Sequence, residues 1–141
     1  MSSEEIVYYG FKCKNLIGLE DNEEIIIRDV SIKCMLTPGH TKGSMCYLLN
    51  NQLFTGDTLF AEGCGLCESK GSCPYEMFAS IQRVKNDIHL ETLIYPGHAY
   101  IYFPGLTLEE VTQNNIYLMI EDVDLFVNFR MRTNNNTLPF I

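Results

Sequence analysis

The chain has 141 residues, 46% of them apolar, and a formal charge of -8. That length suits one domain and that apolar share suffices for a core. The acidic balance, with Lys and Arg scattered rather than clustered, excludes the basic footprint that nucleic acid or an anionic membrane surface requires, and leaves small-molecule or protein-borne substrates. No charged-then-apolar leader opens the sequence, and the stretch Ile25 to Leu36 is broken by Arg28, Asp29 and Lys33, so a cytoplasmic protein is expected.

Met1 to Gly10 runs from polar to aromatic without periodicity and reads as an edge or extended lead-in. From Glu24 to Phe60 the pattern is β: Ile25 to Ile27, Ile32 to Leu36, Met45 to Leu49 and Leu53 to Phe54, with Asn50-Asn51 as a tight hairpin between the last two. Pro74 suits a first helical turn, after which Met77, Phe78, Ile81, Val84 and Ile88 recur at helical spacing, with Arg83 and Lys85 toward solvent. A further apolar run, Leu93 to Tyr95, reads as a strand. Thr107 followed by Glu110 is a capping box, and Leu106 with Val111 has the spacing of a hydrophobic staple, so a helix starts there. A last helix is expected from about Ile116, its apolar positions running through Met119, Ile120, Val123, Phe126 and Val127. Asn134-Asn135-Asn136 and Pro139 then end it in a flexible tail over 133–141.

Three short stretches carry the chemistry: Thr37-Pro38-Gly39-His40-Thr41, Thr55-Gly56-Asp57-Thr58 and Tyr95-Pro96-Gly97-His98. Each follows an apolar run and ends on a Gly-containing turn that presents His40, Asp57 or His98. Imidazole and carboxylate are the ligands of hydrolytic zinc or iron centres, and a strand end is where a sheet presents them. A turn histidine bonded to backbone, or an Asx-turn aspartate, would explain any one of the three. Their repetition favours a shared metal site and predicts that they converge at one rim of the sheet. His89 follows Ile88 at a helix end, with neither strand nor Gly turn before it, and is set aside.

From about Asn15 to the C-terminus the sequence resembles the metallo-β-lactamase-fold hydrolases, and within them the glyoxalase II-like branch, through the TPGHT, GDT and PGH turns. The resemblance implies an α/β fold, the C-terminal part of an αββα sandwich: the second sheet plus its covering helices. It implies His40 and His98 as metal ligands and Asp57 as a bridging ligand of a dinuclear centre, with two zinc ions, or iron or manganese in their place. Such a centre lowers the pKa of a water and polarises a thioester or ester carbonyl. The family's HxHxDH motif lies upstream of these turns and does not occur in this chain. Residues 1–141 are therefore expected to form one partial domain that is inactive in isolation, with the N-terminal half, or self-association, covering an apolar sheet face made by Ile25, Ile27, Ile32, Cys34 and Leu36.

Of the six cysteines, Cys13, Cys34 and Cys46 lie in or beside apolar runs and read as core thiols. Cys64, Cys67 and Cys73 fall in a Gly-rich loop. Metal or redox chemistry there lacks an obvious fourth ligand, and position after Asp57 makes the loop a cleft wall instead. Cys64, Lys70 and Tyr100 are the substrate-binding candidates. The run from Gly63 to Lys85 looks most like the zinc-dependent hydrolases of bacterial polyketide biosynthesis, which implies a small acyl thioester or an acyl group on a carrier protein. A hydroxyacylglutathione hydrolase is the nearer alternative, although Leu66 and Cys67 stand where its basic glutathione-binding pattern would be. An iron-dependent persulfide dioxygenase and a non-catalytic assembly module are the others.

Overall fold

The computed structural model describes residues 1–132; the tail expected over 133–141 lies outside the described residues. Six strands form one sheet in sequence order: β1 (Glu24–Ile27), β2 (Val30–Leu36), β3 (Met45–Leu49), β4 (Gln52–Gly56), β5 (Leu93–Pro96) and β6 (Leu106–Thr107). All neighbours are antiparallel except β4 and β5, which run parallel because the helix α2 (Pro74–Asp87) carries the chain back between them. Asn50 takes a positive φ of 51° and pairs the ends of β3 and β4 at Leu49 and Gln52, the two-residue hairpin that Asn50-Asn51 predicts.

Strand alternation sorts the sheet into two faces. Met35, Cys46, Leu53 and Ile94 line one face and pack under Met77, Ile81 and Val84 of α2, with Leu108, Val111, Tyr117, Leu118 and Phe126 closing the same core. Burying such side chains is worth about 25 cal/mol per Å² of apolar surface, which makes this face the main source of stability. The opposite face carries Ile25, Ile32, Tyr47, Leu49 and Tyr95, all half-buried, together with Ile27 at 57% exposure and Phe54 at 40%. Phe54 and Tyr95, directly paired across β4 and β5, stack at 5.4 Å on that open surface.

Several elements depart from the sequence expectation. The N-terminal lead-in is a helix, α1 (Ser3–Tyr9), because Ser2 accepts the Glu5 amide as N-cap and Gly10 closes the end at φ 67°. The last helix is two: α4 (Ile116–Met119) and α5 (Val123–Arg130), which follow α3 (Leu108–Asn114). Asp122 caps α5 through the Leu125 amide where the run breaks; Phe126 and Ile120 are buried as expected, but in α4 Tyr117 and Leu118 turn inward in place of Ile116 and Met119. Arg83 and Lys85 do not simply face solvent. Arg83 binds Asp21 Oδ1 at 2.7 Å and the Leu36 carbonyl at the end of β2 at 2.9 Å, and Lys85 donates to the Leu118 carbonyl of α4 at 3.1 Å, each fastening a neighbouring segment to α2. Cys13 is exposed on the loop after α1 and Cys46 is a core thiol. Cys34 is instead fully buried on the opposite face beside Tyr47, so that this part of the face expected to lack cover is covered within the chain. No helix among the described residues is long and apolar enough to cross a membrane.

The capping box at α3 has both halves, Glu110 N to Thr107 Oγ1 at 3.2 Å and Thr107 N to Glu110 Oε2 at 2.8 Å. Replacing Thr107 by Ala should lower the unfolding free energy by about 1 kcal/mol. Urea titration measures it; an unchanged midpoint would mean that the cap contributes nothing beyond β6 pairing.

Candidate metal centre

Three turns meet at the C-terminal ends of β2, β4 and β5. The first leaves β2 at Thr37 and bends at Gly39, φ 143°, where a Cβ would overlap the backbone of Met77 in α2. The Gly39 carbonyl accepts the Cys73 amide at 2.9 Å, so the start of α2 anchors this turn. It delivers His40, half-buried, whose Nδ1 sits 2.8 Å from the Leu66 carbonyl. A carbonyl only accepts, so Nδ1 carries the hydrogen and Nε2 is turned toward Asp57.

Asp57 follows β4 through Gly56, which adopts φ 50°. His98 follows β5, and parallel pairing sets it beside Asp57: Gly56 lies opposite Pro96, and the Gly97 amide donates to the Gly56 carbonyl at 2.8 Å. A Cβ at Gly97 would stand 2.7 Å from Asp57 Oδ1, so only glycine lets the two turns approach this closely. The result is symmetrical. His40 Nε2 is 3.4 Å from Asp57 Oδ2, and His98 Nε2 is 3.4 Å from Asp57 Oδ1.

Beneath the rim, buried hydroxyls fix the first two turns to one another. Thr37 Oγ1 lies 3.1 Å from Thr58 Oγ1 and 3.3 Å from Cys46 Sγ, and Thr58 Oγ1 donates to the Thr37 carbonyl at 3.4 Å. Removing one partner would leave a buried polar atom unpaired, which costs on the order of 1–3 kcal/mol. Asn115, fully buried where α3 meets α4, donates to the Phe60 and Gly63 carbonyls at 3.0 and 2.9 Å and so holds the loop after Asp57. That loop supplies the wall of a cleft of about 400 Å³ in which Phe60, Cys64, Gly65, Leu66 and Tyr100 surround the three polar groups. The His98 ring lies 6.0 Å from Phe60 and 6.1 Å from Tyr100.

Of the residues expected at the site, the structure brings together His40, Asp57, His98, Cys64 and Tyr100. Lys70 is exposed and outside the cleft lining. Its loop turns toward α1, where the Lys70 carbonyl accepts the Tyr9 hydroxyl at 2.6 Å. Phe60 and Leu66 were missed; an aromatic and an aliphatic side chain within ten residues of Asp57 were the only hint. His89 is exposed and remote, as expected from its place beyond α2.

The donor set fits a pair of divalent ions. Donors held tetrahedrally at about 2.0–2.2 Å from one ion lie roughly 3.3–3.6 Å apart, which matches both His–Asp separations. With Nδ1–H given to Leu66, Nε2 of His40 and the carboxylate face each other as two electron-rich groups, an arrangement that calls for a cation or a proton between them. Among the described residues no three His, Cys, Asp or Glu side chains close around a single point as a metal cage. The arrangement is instead two half-sites of two donors each, sharing one carboxylate.

No protein-family model matches the chain. It is 51% identical over 138 residues to a protein of Bacillus velezensis named "probable polyketide biosynthesis zinc-dependent hydrolase BaeB", covering 98% of this chain and 61% of that protein. It is 49% identical over 134 residues to the Bacillus subtilis protein named "probable polyketide biosynthesis zinc-dependent hydrolase PksB", covering 95% of this chain and 60% of that one. A metallo-β-lactamase crystal structure from Staphylococcus aureus superimposes with a TM-score of 0.85 at 23% identity, over 98% of this chain and 47% of that one. The chain has the metallo-β-lactamase fold. It spans about 60% of the length of the two curated relatives.

Three buried thiols of this metallo-β-lactamase-fold chain, Cys46, Cys64 and Cys67, hold their protons more tightly than a free cysteine. Burial pushes the Cys46 and Cys67 thiols up to about 11 and raises Cys64 further, outweighing the Arg130 charge near Cys64 and Cys67. Raised values mean less thiolate at neutral pH, so native-state alkylation at pH 7 should label exposed Cys13 first and leave Cys46, Cys64 and Cys67 intact. Mass spectrometry of the labelled chain checks this. Cys64 or Cys67 reacting as fast as Cys13 would show an accessible, activated pair.

Proposed function

We propose that this chain carries half of the catalytic centre of a zinc-dependent hydrolase acting on neutral, apolar acyl thioesters or esters, as small molecules or on a carrier protein, in polyketide biosynthesis. The observation that carries the reading is a carboxylate set between two imidazoles at the base of an apolar cleft. When bound, two zinc ions, or iron or manganese in their place, would acidify a water and polarise the substrate carbonyl. His40 and Asp57 would hold one ion, His98 and Asp57 the other.

The chain's own residues shape what such a site accepts. Phe60, Leu66 and Tyr100 offer apolar surface to an acyl group beside the carboxylate. Among the described residues no Lys or Arg lines the cleft, so a substrate with several carboxylates, such as a glutathione thioester, finds no cationic side chain among them. Burial, together with the Asp57 and Glu62 carboxylates, raises the Tyr100 phenol above its ordinary value, so it keeps its proton and remains a hydrogen-bond donor at the cleft wall. A thiol with a pKa of about 8.5 departs without a strong general acid, which favours a thioester as the substrate. The free thiols fit a reducing compartment such as the cytoplasm.

Two protein donors per ion fall short of the three that catalytic zinc takes. We assign the missing donors to a segment carrying HxHxDH. The open face around Phe54 and Tyr95 is the surface such a segment would cover, or through which copies of the chain would associate in its absence. Thiol release from an acyl-thioester substrate tests this directly. The chain alone should show no turnover; a form completed by the HxHxDH segment should hydrolyse the thioester and lose more than about 100-fold on His40→Ala, Asp57→Ala or His98→Ala. Turnover that survives all three substitutions would refute the site. Iron-dependent oxygen consumption with a persulfide, and no hydrolysis, would assign the chain to dioxygenase chemistry.

A further inference from the structure

The turn that bears His40 is gripped from outside by the first turn of α1. Glu5 Oε2 accepts the Gly43 amide at 2.7 Å and the Thr41 hydroxyl at 3.0 Å, so one carboxylate oxygen holds the residue that follows His40 and the bend beyond it. Thr41 Oγ1, its hydrogen spent on Glu5, accepts in turn from the Ser44 hydroxyl at 2.8 Å, and Ser44 Oγ accepts the Thr41 amide at 3.0 Å. Ser2 adds a second hold: its hydroxyl donates to the Gly43 carbonyl at 2.6 Å and accepts the Glu5 amide at 3.1 Å. The fit leaves no room, since a Cβ at Gly43 would overlap the Glu5 amide nitrogen and the Ser2 hydroxyl.

On its other side the same turn is tied to the cleft wall. Ser69 Oγ donates to the His40 carbonyl at 3.3 Å, and His40 Nδ1–H reaches the Leu66 carbonyl. The imidazole direction is thus set between two supports: the loop 65–73, which receives the ring hydrogen, and α1, which fixes the backbone on which the ring stands. Only the second is charged. A carboxylate taking two hydrogen bonds is a stronger tie than the neutral serine and backbone contacts around it.

We propose that Glu5 is a positioning residue for His40, acting through Thr41 and Gly43 to aim Nε2 at Asp57. The proposal deepens the metal reading of His40 and rests on it. It assigns work at the site to a helix that touches none of the reacting groups. A misplacement of about 1 Å in such a support degrades a ligand's aim even when the ligand itself is unchanged.

The test is magnetic resonance on the full 141-residue chain with labelled histidine, reading the His40 Nδ1–H resonance, assigned by its loss in His40→Gln. In the wild type this hydrogen should be protected from exchange with water by the Leu66 carbonyl. In Glu5→Ala it should be lost to exchange while the dispersed amide spectrum and the melting temperature show an intact fold. Glu5→Gln should restore it, because one amide oxygen can take both hydrogen bonds. Thr41→Val, which removes the hydroxyl arm and keeps the side-chain volume, should weaken protection as well, and decides the matter should Glu5→Ala fail to fold. Protection unchanged in Glu5→Ala and Thr41→Val would overturn the proposal alone. An unprotected Nδ1–H already in the wild type would instead remove the oriented His40 on which the metal reading depends.

Discussion

Two imidazoles facing the two oxygens of one carboxylate form the constraint around which the rest of this chain is organised. Asp57 cannot meet His40 and His98 at 3.4 Å each unless three strand ends from different parts of the chain arrive at one rim with their turns nearly in contact. The sheet supplies the arrival. Antiparallel pairing brings β2, β3 and β4 together as neighbours, and the parallel step from β4 to β5 sets the Asp57 and His98 turns side by side at the same end. An antiparallel β5 would have sent His98 to the opposite edge. The helix α2, by returning the chain across the sheet, is therefore as much a requirement of the site as of the core.

Close approach then demands residues that are absent in volume or buried in pairs. Gly97 leaves space for Asp57 Oδ1, and Gly65 leaves space for the Asp57 carbonyl and for His40 Nδ1. Below them, the buried Thr37, Thr58 and Cys46 side chains satisfy one another, which penalises any relative slip of the His40 and Asp57 turns. The start of the cleft wall is held by Asn115 through the Phe60 and Gly63 carbonyls, and its further part meets the His40 turn directly, through Leu66 and Ser69.

Much of this could be read from residue order. The strands from Ile25 to Phe54, the Asn50-Asn51 hairpin, the helix from Pro74 and the Thr107 cap each announce themselves through periodicity or turn chemistry, and the repeated Gly turns pointed to His40, Asp57 and His98 as neighbours. What escaped was set by tertiary packing or by a weak local signal. Ser2 and Glu5 have capping-box spacing, yet the aromatic run that follows gives no amphipathic stripe, because α1 has no buried residue. The helical period from Ile116 to Val127 is real, but the chain breaks between Met119 and Val123, where Asp122 caps α5, and in α4 the buried positions shift to Tyr117 and Leu118. Arg83 and Lys85 were misread since a solvent-facing helix position says nothing of a carbonyl presented by a neighbouring element, Leu36 at the end of β2 and Leu118 in α4. Lys70 was misplaced for the same reason: Tyr9 captures its backbone from a helix that composition did not reveal.

The most direct measurement is calorimetric titration of the 141-residue chain with zinc, in the wild type and in His40→Ala, His98→Ala and Asp57→Ala. Two half-sites sharing one carboxylate predict weak binding that either histidine substitution reduces and Asp57→Ala abolishes, since each ion loses one of its two donors together. Tight, stoichiometric zinc binding that is unchanged in Asp57→Ala would contradict the account, because the carboxylate between the imidazoles would then not be what holds the metal.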